Sequence, residues 1–295
     1  MRMEVAWGDE QQMDKAIEIK NLSHWFGKTV VLNHIDFTVD SGEVFGLLGP
    51  SGAGKTTLIH ILTGQIKAAE GESHILGILS RDMSGSHYKQ IGMMLDNLGL
   101  YERMSCYDNL KFYQMIDGIR EKGIDEVLES VGLLEAKKTP VLNLSKGMKN
   151  RLAFARAILR NPKILFLDEP TNGIDPSTAL ALHKMILEEK KKGTTIFLTT
   201  HNMHEAEKLC DKIALLNAGK IVEYGKPSDI CRRYNHQKKI NIHLKSGQDI
   251  VLKHNSEGGA WIKTYLENDE IDSIHSSEPN LETIFMELTG RMFDR

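Results

Sequence analysis

Apolar residues alternate with polar ones at Ile17, Ile19 and Leu22, and again at Ile35, Phe37 and Val39, the second run ending at Asp40-Ser41-Gly42. A period of two with one wet face predicts antiparallel strands. Val44-Phe45-Gly46-Leu47-Leu48 differs, being continuously apolar as a central strand of a parallel sheet must be. Ile164–Leu167 and Thr195–Thr199 have the same character, and each of the three runs ends in a polar cluster. Ligands of open parallel sheets bind beyond the carboxyl ends of the strands, so those clusters are the first places to look for chemistry.

Between them the spacing turns helical, over about residues 99–160. Ile124, Val127, Leu128 and Val131 share one face, and Met148–Leu159 forms a second amphipathic stretch. Ser177–Lys192 predicts a long helix after a Pro-containing turn. Lys212–Leu216 and Lys220–Tyr224 flank Asn217-Ala218-Gly219, a hairpin with a three-residue loop, and Pro227 opens a short helix to about Tyr234. Beyond about 236 the runs Ile240/Ile242/Leu244, Gln248–Leu252 and Ile271–Ile274 predict a small β-rich module, with Leu281–Leu288 as a closing helix. Residues 1–15 are polar and aperiodic and read as a flexible tail. The chain thus divides into that tail, a main domain over 16–234, and an accessory C-terminal domain over 235–295.

Composition narrows the picture without changing it. The 295 residues are 41% hydrophobic and 26% charged, as expected of a globular chain with one large domain and a small appendage. No apolar run approaches the ~18 residues needed to span a bilayer, and no apolar segment follows the first basic residue as in a secretory signal. Any service to a membrane is expected to go through a partner. The net charge of −3 lacks the basic excess of a nucleic-acid surface, so no nucleic-acid partner is expected. Lys190–Lys192, the longest basic run, suits the C-terminal end of a helix. Cys106, Cys210 and Cys231 have neither metal spacing nor an even count, which fits a reducing compartment.

The strongest local signal is Gly49-Pro50-Ser51-Gly52-Ala53-Gly54-Lys55-Thr56, which satisfies G-x-x-x-x-G-K-[ST] at every fixed position. Its glycines let consecutive N–H groups face one anion. Lys55 offers a point charge to β- and γ-phosphates, and Thr56 offers a hydroxyl to Mg²⁺. A helix starting near Lys55 aims its positive end at the same spot, with Thr57 as a further candidate contact. An apolar strand before the loop and Leu58, Ile59 and Leu62 at helical spacing after it argue against a mere Gly-rich turn. A second signal, Ile164-Leu165-Phe166-Leu167-Asp168-Glu169, sets two carboxylates at the end of a buried strand. Asp168 is a candidate Mg²⁺ partner and Glu169 a candidate to polarise an attacking water.

With Pro170-Thr171-Asn172-Gly173-Ile174-Asp175-Pro176 following these carboxylates, the sequence resembles the ATP-binding subunits of ABC transporters over about residues 17–234. Leu144-Ser145-Lys146-Gly147-Met148 stands at the position of that family's signature motif, and Gly173-Ile174-Asp175-Pro176 is similar to its D-loop. His201 is similar to its switch histidine, and Phe26 in Trp25-Phe26-Gly27 to the aromatic that stacks on adenine. The resemblance implies an α/β fold: a P-loop NTPase core with an antiparallel β subdomain and a helical subdomain over about 99–160, plus a small C-terminal α+β module. It implies ATP and Mg²⁺ as cofactors, catalysis by Lys55, Glu169 and His201, and Ser145 and Gly147 facing the γ-phosphate of another subunit. It further implies a homodimer or heterodimer of ATPase subunits bound to a transmembrane permease, peripheral on the cytoplasmic face of the cell membrane. Plainer roles stay open: Phe26 as core, His201 capping the next helix, and Ser145 as an ordinary N-cap.

Two departures from the family pattern stand out. Where the family usually carries Gln, Ile91-Gly92-Met93-Met94-Leu95 leads into Asp96, whose oxygens can approach Mg²⁺ but which is shorter, negative and without an amide donor. A turn residue beside Asn97 and Gly99 is the alternative there. Lys146 and Met148 replace the commoner Gly and Gln, while Ser145 and Gly147 are retained. The segment Glu278–Gly290 is similar to the tails of bacterial drug, antibiotic-peptide and lantibiotic-immunity exporters, which points to export. The competing reading is a soluble ABC-type ATPase not coupled to transport. One phosphate loop and no sustained heptads set the chain apart from the ribosome-acting and DNA-repair members of that kind.

Overall fold

The computed structural model describes residues 14–96, 98–116, 123–236, 239–277 and 279–290. Nearly all of the expected tail, together with Asn97 and Glu278, lies outside the described residues. Lys15, assigned to the tail, opens the first strand. The strands are β1 (Lys15–Phe26), β2 (Thr29–Asp40), β3 (Val44–Leu48), β4 (Glu70–Ile75), β5 (Ile78–Leu79), β6 (Ile91–Met94), β7 (Ile164–Asp168), β8 (Thr195–Thr200), β9 (Lys212–Asn217), β10 (Lys220–Gly225), β11 (Lys239–Leu244), β12 (Asp249–Lys253) and β13 (Ile271–Ser277). The helices are α1 (Lys55–Leu62), α2 (Gly85–Tyr88), α3 (Cys106–Ile116), α4 (Ile124–Ser130), α5 (Lys146–Ile158), α6 (Pro176–Lys191), α7 (Met203–Leu209), α8 (Pro227–Arg233), α9 (Ser256–Glu267) and α10 (Leu281–Thr289).

The alternating runs build one antiparallel sheet, in the order β2-β1-β4-β5, and the continuous ones build another, β10-β9-β3-β8-β7-β6. In the latter, β3 lies between parallel neighbours β8 and β9, and all five of its residues are buried. Successive side chains of a strand point to opposite faces, and β3 shows the consequence. Phe45 and Leu47 enter the core shared with β1, β2 and α1, while Val44 and Leu48 enter the core shared with α5, α6 and α7. Phe45 stacks on Phe37 at 4.9 Å and on Phe197 at 5.5 Å, which locks the two sheets together. Each such ring contributes on the order of 2–3 kcal/mol by burial. Both faces of the parallel sheet are thereby covered, and its carboxyl edge stays open for the loop after β3.

Three local expectations change. Pro176 belongs to the helix rather than the turn, at the N-terminal position where its missing N–H costs nothing, with Asp175 as N-cap. The β9–β10 hairpin has a two-residue loop, since Asn217 pairs with Lys220, and Ala218 and Gly219 both take positive φ, +46° and +76°. Such a turn normally selects Asn or Gly first, so Ala218 hides it. The helix α9 was not expected at all. Gly258 and Gly259 in its first turns lower helix propensity, yet a Cβ at Gly258 would lie 2.0 Å from the Lys253 carbonyl oxygen, so the close approach of helix to strand selects glycine.

Residues 239–277 form the sheet β12-β11-β13 with α9 beside it. The last helix does not stay with this module. Leu281, Ile284 and Phe285 of α10 are buried in the core that holds Met203, Ala206, Leu209 and Ile230 from α7 and α8. The Leu281 N–H donates to Glu207 Oε1 at 2.9 Å. The boundary expected at 235 therefore has the chain leaving the main body and then returning to it. No helix among the described residues is long and apolar enough to cross a membrane.

Candidate active site

The loop after β3 turns into α1 at Gly54, whose φ of +109° is open to glycine and strained for other residues. The loop curls on itself through the Ala53 N–H, which donates to the Pro50 carbonyl at 3.2 Å. Lys55 is buried, and its Nζ donates to the carbonyls of Gly49 at 2.8 Å and Pro50 at 3.2 Å. The same ammonium lies 3.1 Å from Glu169 Oε1.

Thr56 Oγ1 donates to Asp168 Oδ2 at 2.9 Å, and Thr199 Oγ1 donates to Asp168 Oδ1. A buried carboxylate at the end of β7 is thus aimed by hydroxyls from α1 and β8. Glu169 follows with φ +49°, a left-handed conformation that costs a non-glycine residue about 1–3 kcal/mol. Its N–H donates to the Thr199 carbonyl at 3.0 Å, and its carbonyl accepts the Asn172 N–H at 3.0 Å, which together hold the strained turn. Glu169 Oε2 meets His201 Nδ1 at 2.7 Å, so one carboxylate links Lys55 to His201.

These groups surround a cavity of about 470 Å³. Ser51, Gly52, Gly54, Lys55, Thr56 and Thr57 form one wall, and Asp96, Asp168, Glu169, Asn172 and His201 form the other. A second cavity of about 260 Å³ extends from Asp96, Asp168 and Glu169 to Lys146, Lys149 and Asn150 on α5. Asp96 lines both, so its place between the phosphate loop and the helical subdomain is structural fact. Arg156 on α5 ties that segment down, donating from Nη1 to Leu98 O at 2.6 Å and Gly99 O at 3.0 Å, and from Nη2 to Met93 O at 3.2 Å.

Other expected site residues stand apart. Phe26, 53% exposed at the end of β1, packs edge-on against His24 at 4.8 Å and does not line the cavity. Its exposure excludes the core role. Ser145 is exposed and caps α5 by accepting the Met148 N–H at 3.2 Å. Gly147 beside it is needed for packing, since a Cβ there would come within 2.7 Å of Thr178 Cγ2. Thr178 stands in the first turn of α6, capped by Asp175, which accepts the Ser177 and Thr178 N–H groups at 3.0 Å each. Hydroxyl hydrogen bonds from Ser177 and Thr178 hold the Asp175 carboxyl well below the usual carboxylate range.

Two cavity residues were missed from sequence. Asn172 was legible as the residue between Pro170-Thr171 and the D-loop-like Gly173–Pro176. Val31 was not, because nothing in the β2 pattern marks which of its residues reaches across to the phosphate loop.

Comparison with known proteins supplies the class to which this site belongs. The ABC transporter family model matches residues 32–172. The chain is 33% identical over 283 residues to the fluoroquinolones export ATP-binding protein of Mycobacterium tuberculosis (strain CDC 1551 / Oshkosh), covering 94% of each. It is 30% identical over 306 residues to the linearmycin resistance ATP-binding protein LnrL of Bacillus subtilis (strain 168), covering 93% of this chain and 98% of that one. A solved ATP-binding subunit of an ABC transporter superposes with a TM-score of 0.68 at 28% identity, over 84% of this chain and 98% of its own. The chain belongs to the ABC transporter ATP-binding proteins. It is an ATPase of that family, with ATP as its nucleotide.

Proposed function

We propose that this chain energises the export of a drug, antibiotic or peptide through a separate transmembrane permease, as a peripheral subunit on the cytoplasmic face of the membrane. The observation that carries the export reading is the extent of the similarity. It spans 94% of both this chain and a fluoroquinolones export ATP-binding protein, and so includes the module after residue 235 as well as the ATPase core.

In this proposal the triphosphate lies in the loop Gly49–Thr57, over the N-terminus of α1, with Lys55 turned to it. Lys55 is pinned between two carbonyls and Glu169, so a phosphate oxygen competes with Glu169 for the same ammonium. Glu169, relieved of that pair, takes a proton from the attacking water while His201 holds its other oxygen in place. The Thr56 hydroxyl and the Asp168 carboxylate, 2.9 Å apart, are hard oxygen donors suited to Mg²⁺. Among the described residues no group of three or more His, Cys, Asp or Glu gathers into a metal cage, which fits a cation whose remaining ligands are phosphate and water. Bound there, Mg²⁺ would neutralise charge on the β- and γ-phosphates. Asp96 adds a third carboxylate facing the same space.

Ser145 and Gly147, exposed or half-exposed at the N-terminus of α5, then serve a second ATPase subunit rather than their own loop, giving a homodimer or heterodimer with shared sites. Glu169→Gln tests the assignment. Nucleotide binding should be kept, turnover should fall about 100-fold or more, and ATP should trap a dimer on size exclusion. Normal turnover removes Glu169 from its role. Isolation of an active complex without any polytopic membrane protein overturns the transport reading.

A further inference from the structure

Glu205, in the first turns of α7, is 2% exposed and lies outside the nucleotide cavity. Its Oε1 accepts the Thr171 hydroxyl at 2.8 Å and meets His183 Nε2 at 2.9 Å. Its Oε2 is buried with no hydrogen-bond partner. A buried carboxylate with one oxygen unpaired is a poor device for stability, and an apolar side chain of similar volume would serve packing better. What the carboxylate does accomplish is a connection between two particular segments.

Thr171 stands two residues beyond Glu169, in the turn where the Asn172 N–H holds the Glu169 carbonyl. Glu205 stands four residues beyond His201, in the helix whose N-cap, Asn202, accepts the Glu205 N–H at 3.2 Å. The segments 169–172 and 201–205 are therefore joined twice: at the cavity by Glu169 and His201, and beneath it by Thr171 and Glu205. His183 brings in α6, so three elements meet on one oxygen. The upper link is half open to solvent and, when phosphate takes Lys55, loses the cation that helps fix Glu169. Neither Thr171 nor Glu205 of the lower link lines the cavity.

We infer that Glu205 is a positioning residue: through Thr171 it keeps the strained turn at Glu169 in register with His201 while Glu169 acts on water. The inference rests on the assignment of Glu169 above, and a first comparison of the wild-type chain with Glu169→Gln establishes whether that assignment stands. The test then measures steady-state phosphate release and binding of a fluorescent ATP analogue by the full-length chain, in the same assembly throughout. Glu205→Ala and Thr171→Val should each lower kcat about tenfold or more, with KM and nucleotide affinity within about threefold. The double variant should be no slower than the slower single, because both remove one link. Glu205→Gln and Thr171→Ser, which keep an acceptor and a hydroxyl, should recover kcat to within about threefold.

Wild-type kcat in Thr171→Val overturns the proposal, as do multiplicative losses in the double variant, or a Gln variant as slow as the Ala one. A loss shared equally by nucleotide affinity and turnover also overturns it. Should Glu205→Ala not fold, the pair Thr171→Val and Thr171→Ser decides the matter alone.

Discussion

The Lys55 ammonium and Glu169 Oε1 sit 3.1 Å apart, a largely buried pair that joins the first residue of α1 to the residue after β7. It sets the cation of the phosphate loop against the carboxylate proposed as base, with His201 on the far oxygen. Removing Lys55 leaves Glu169 without its paired ammonium and takes one countercharge from any bound triphosphate. Lys55→Ala should lower ATP affinity or turnover about tenfold or more, read by fluorescent-nucleotide titration and phosphate release. Unchanged values for both would mean that phosphate binds elsewhere.

Asp96 faces the same cavity as Asp168 and Glu169, so it adds a third negative charge where a polyanion is to bind. Asp96→Asn removes that charge with little change of shape. A charge screened by the water of an open cavity is worth on the order of 1 kcal/mol, so ATP should bind roughly fivefold tighter to the variant, as calorimetry would measure. Weaker binding would instead mark Asp96 as a direct or water-mediated partner of the cation.

Gly147 meets Thr178 across the contact of α5 with α6. A methyl group forced into that contact should cost about 1–3 kcal/mol, visible as a lowered Tm for Gly147→Ala. Adding Thr178→Ser, which removes the clashing Cγ2, should restore Tm. A double variant that is restored in stability yet still slow in turnover would separate packing from the proposed phosphate role in the partner's site.

His243 on β11 faces Asp249 on β12, with Nδ1 2.6 Å from Oδ1. That hydrogen bond, with the charge of Asp249, raises the imidazole pKa above its ordinary 6.5. A raised folded value means that the pair's contribution is fully present below pH 6.5 and is lost as pH rises through the raised value. NMR titration should show His243 losing its proton later than an unpaired histidine, and Asp249→Asn should bring it back. A titration unmoved by that substitution would exclude the pairing.

Much of this protein is local in origin and so was legible without coordinates. The alternation in β1 and β2, the continuous apolar runs of β3, β7 and β8, and the Gly-Lys-Thr turn are patterns of neighbouring residues, imposed by strand geometry and by the needs of a phosphate. Asp168, Glu169 and His201 were legible because each ends or directly follows a buried strand. Gly258 misled because its glycine answers the Lys253 carbonyl at the end of β12, a close backbone approach that residue preference for helix does not register. Ala218 misled because the tight β9–β10 pairing, rather than its own preference, sets its backbone.

The sequence by itself determined the order and kind of the main elements, the phosphate loop and the two carboxylates at the end of β7, since all of these follow from periodicity and short-range spacing. The tertiary structure alone decided that Lys55, Glu169 and His201 form one chain of contacts, that Asp96 shares their cavity, and that α10 returns to the main core. It also decided that a buried Glu205 accepts the Thr171 hydroxyl in the turn after Glu169. Each of those depends on packing that joins segments far apart in the chain, where a side chain's role is set by what the fold brings against it.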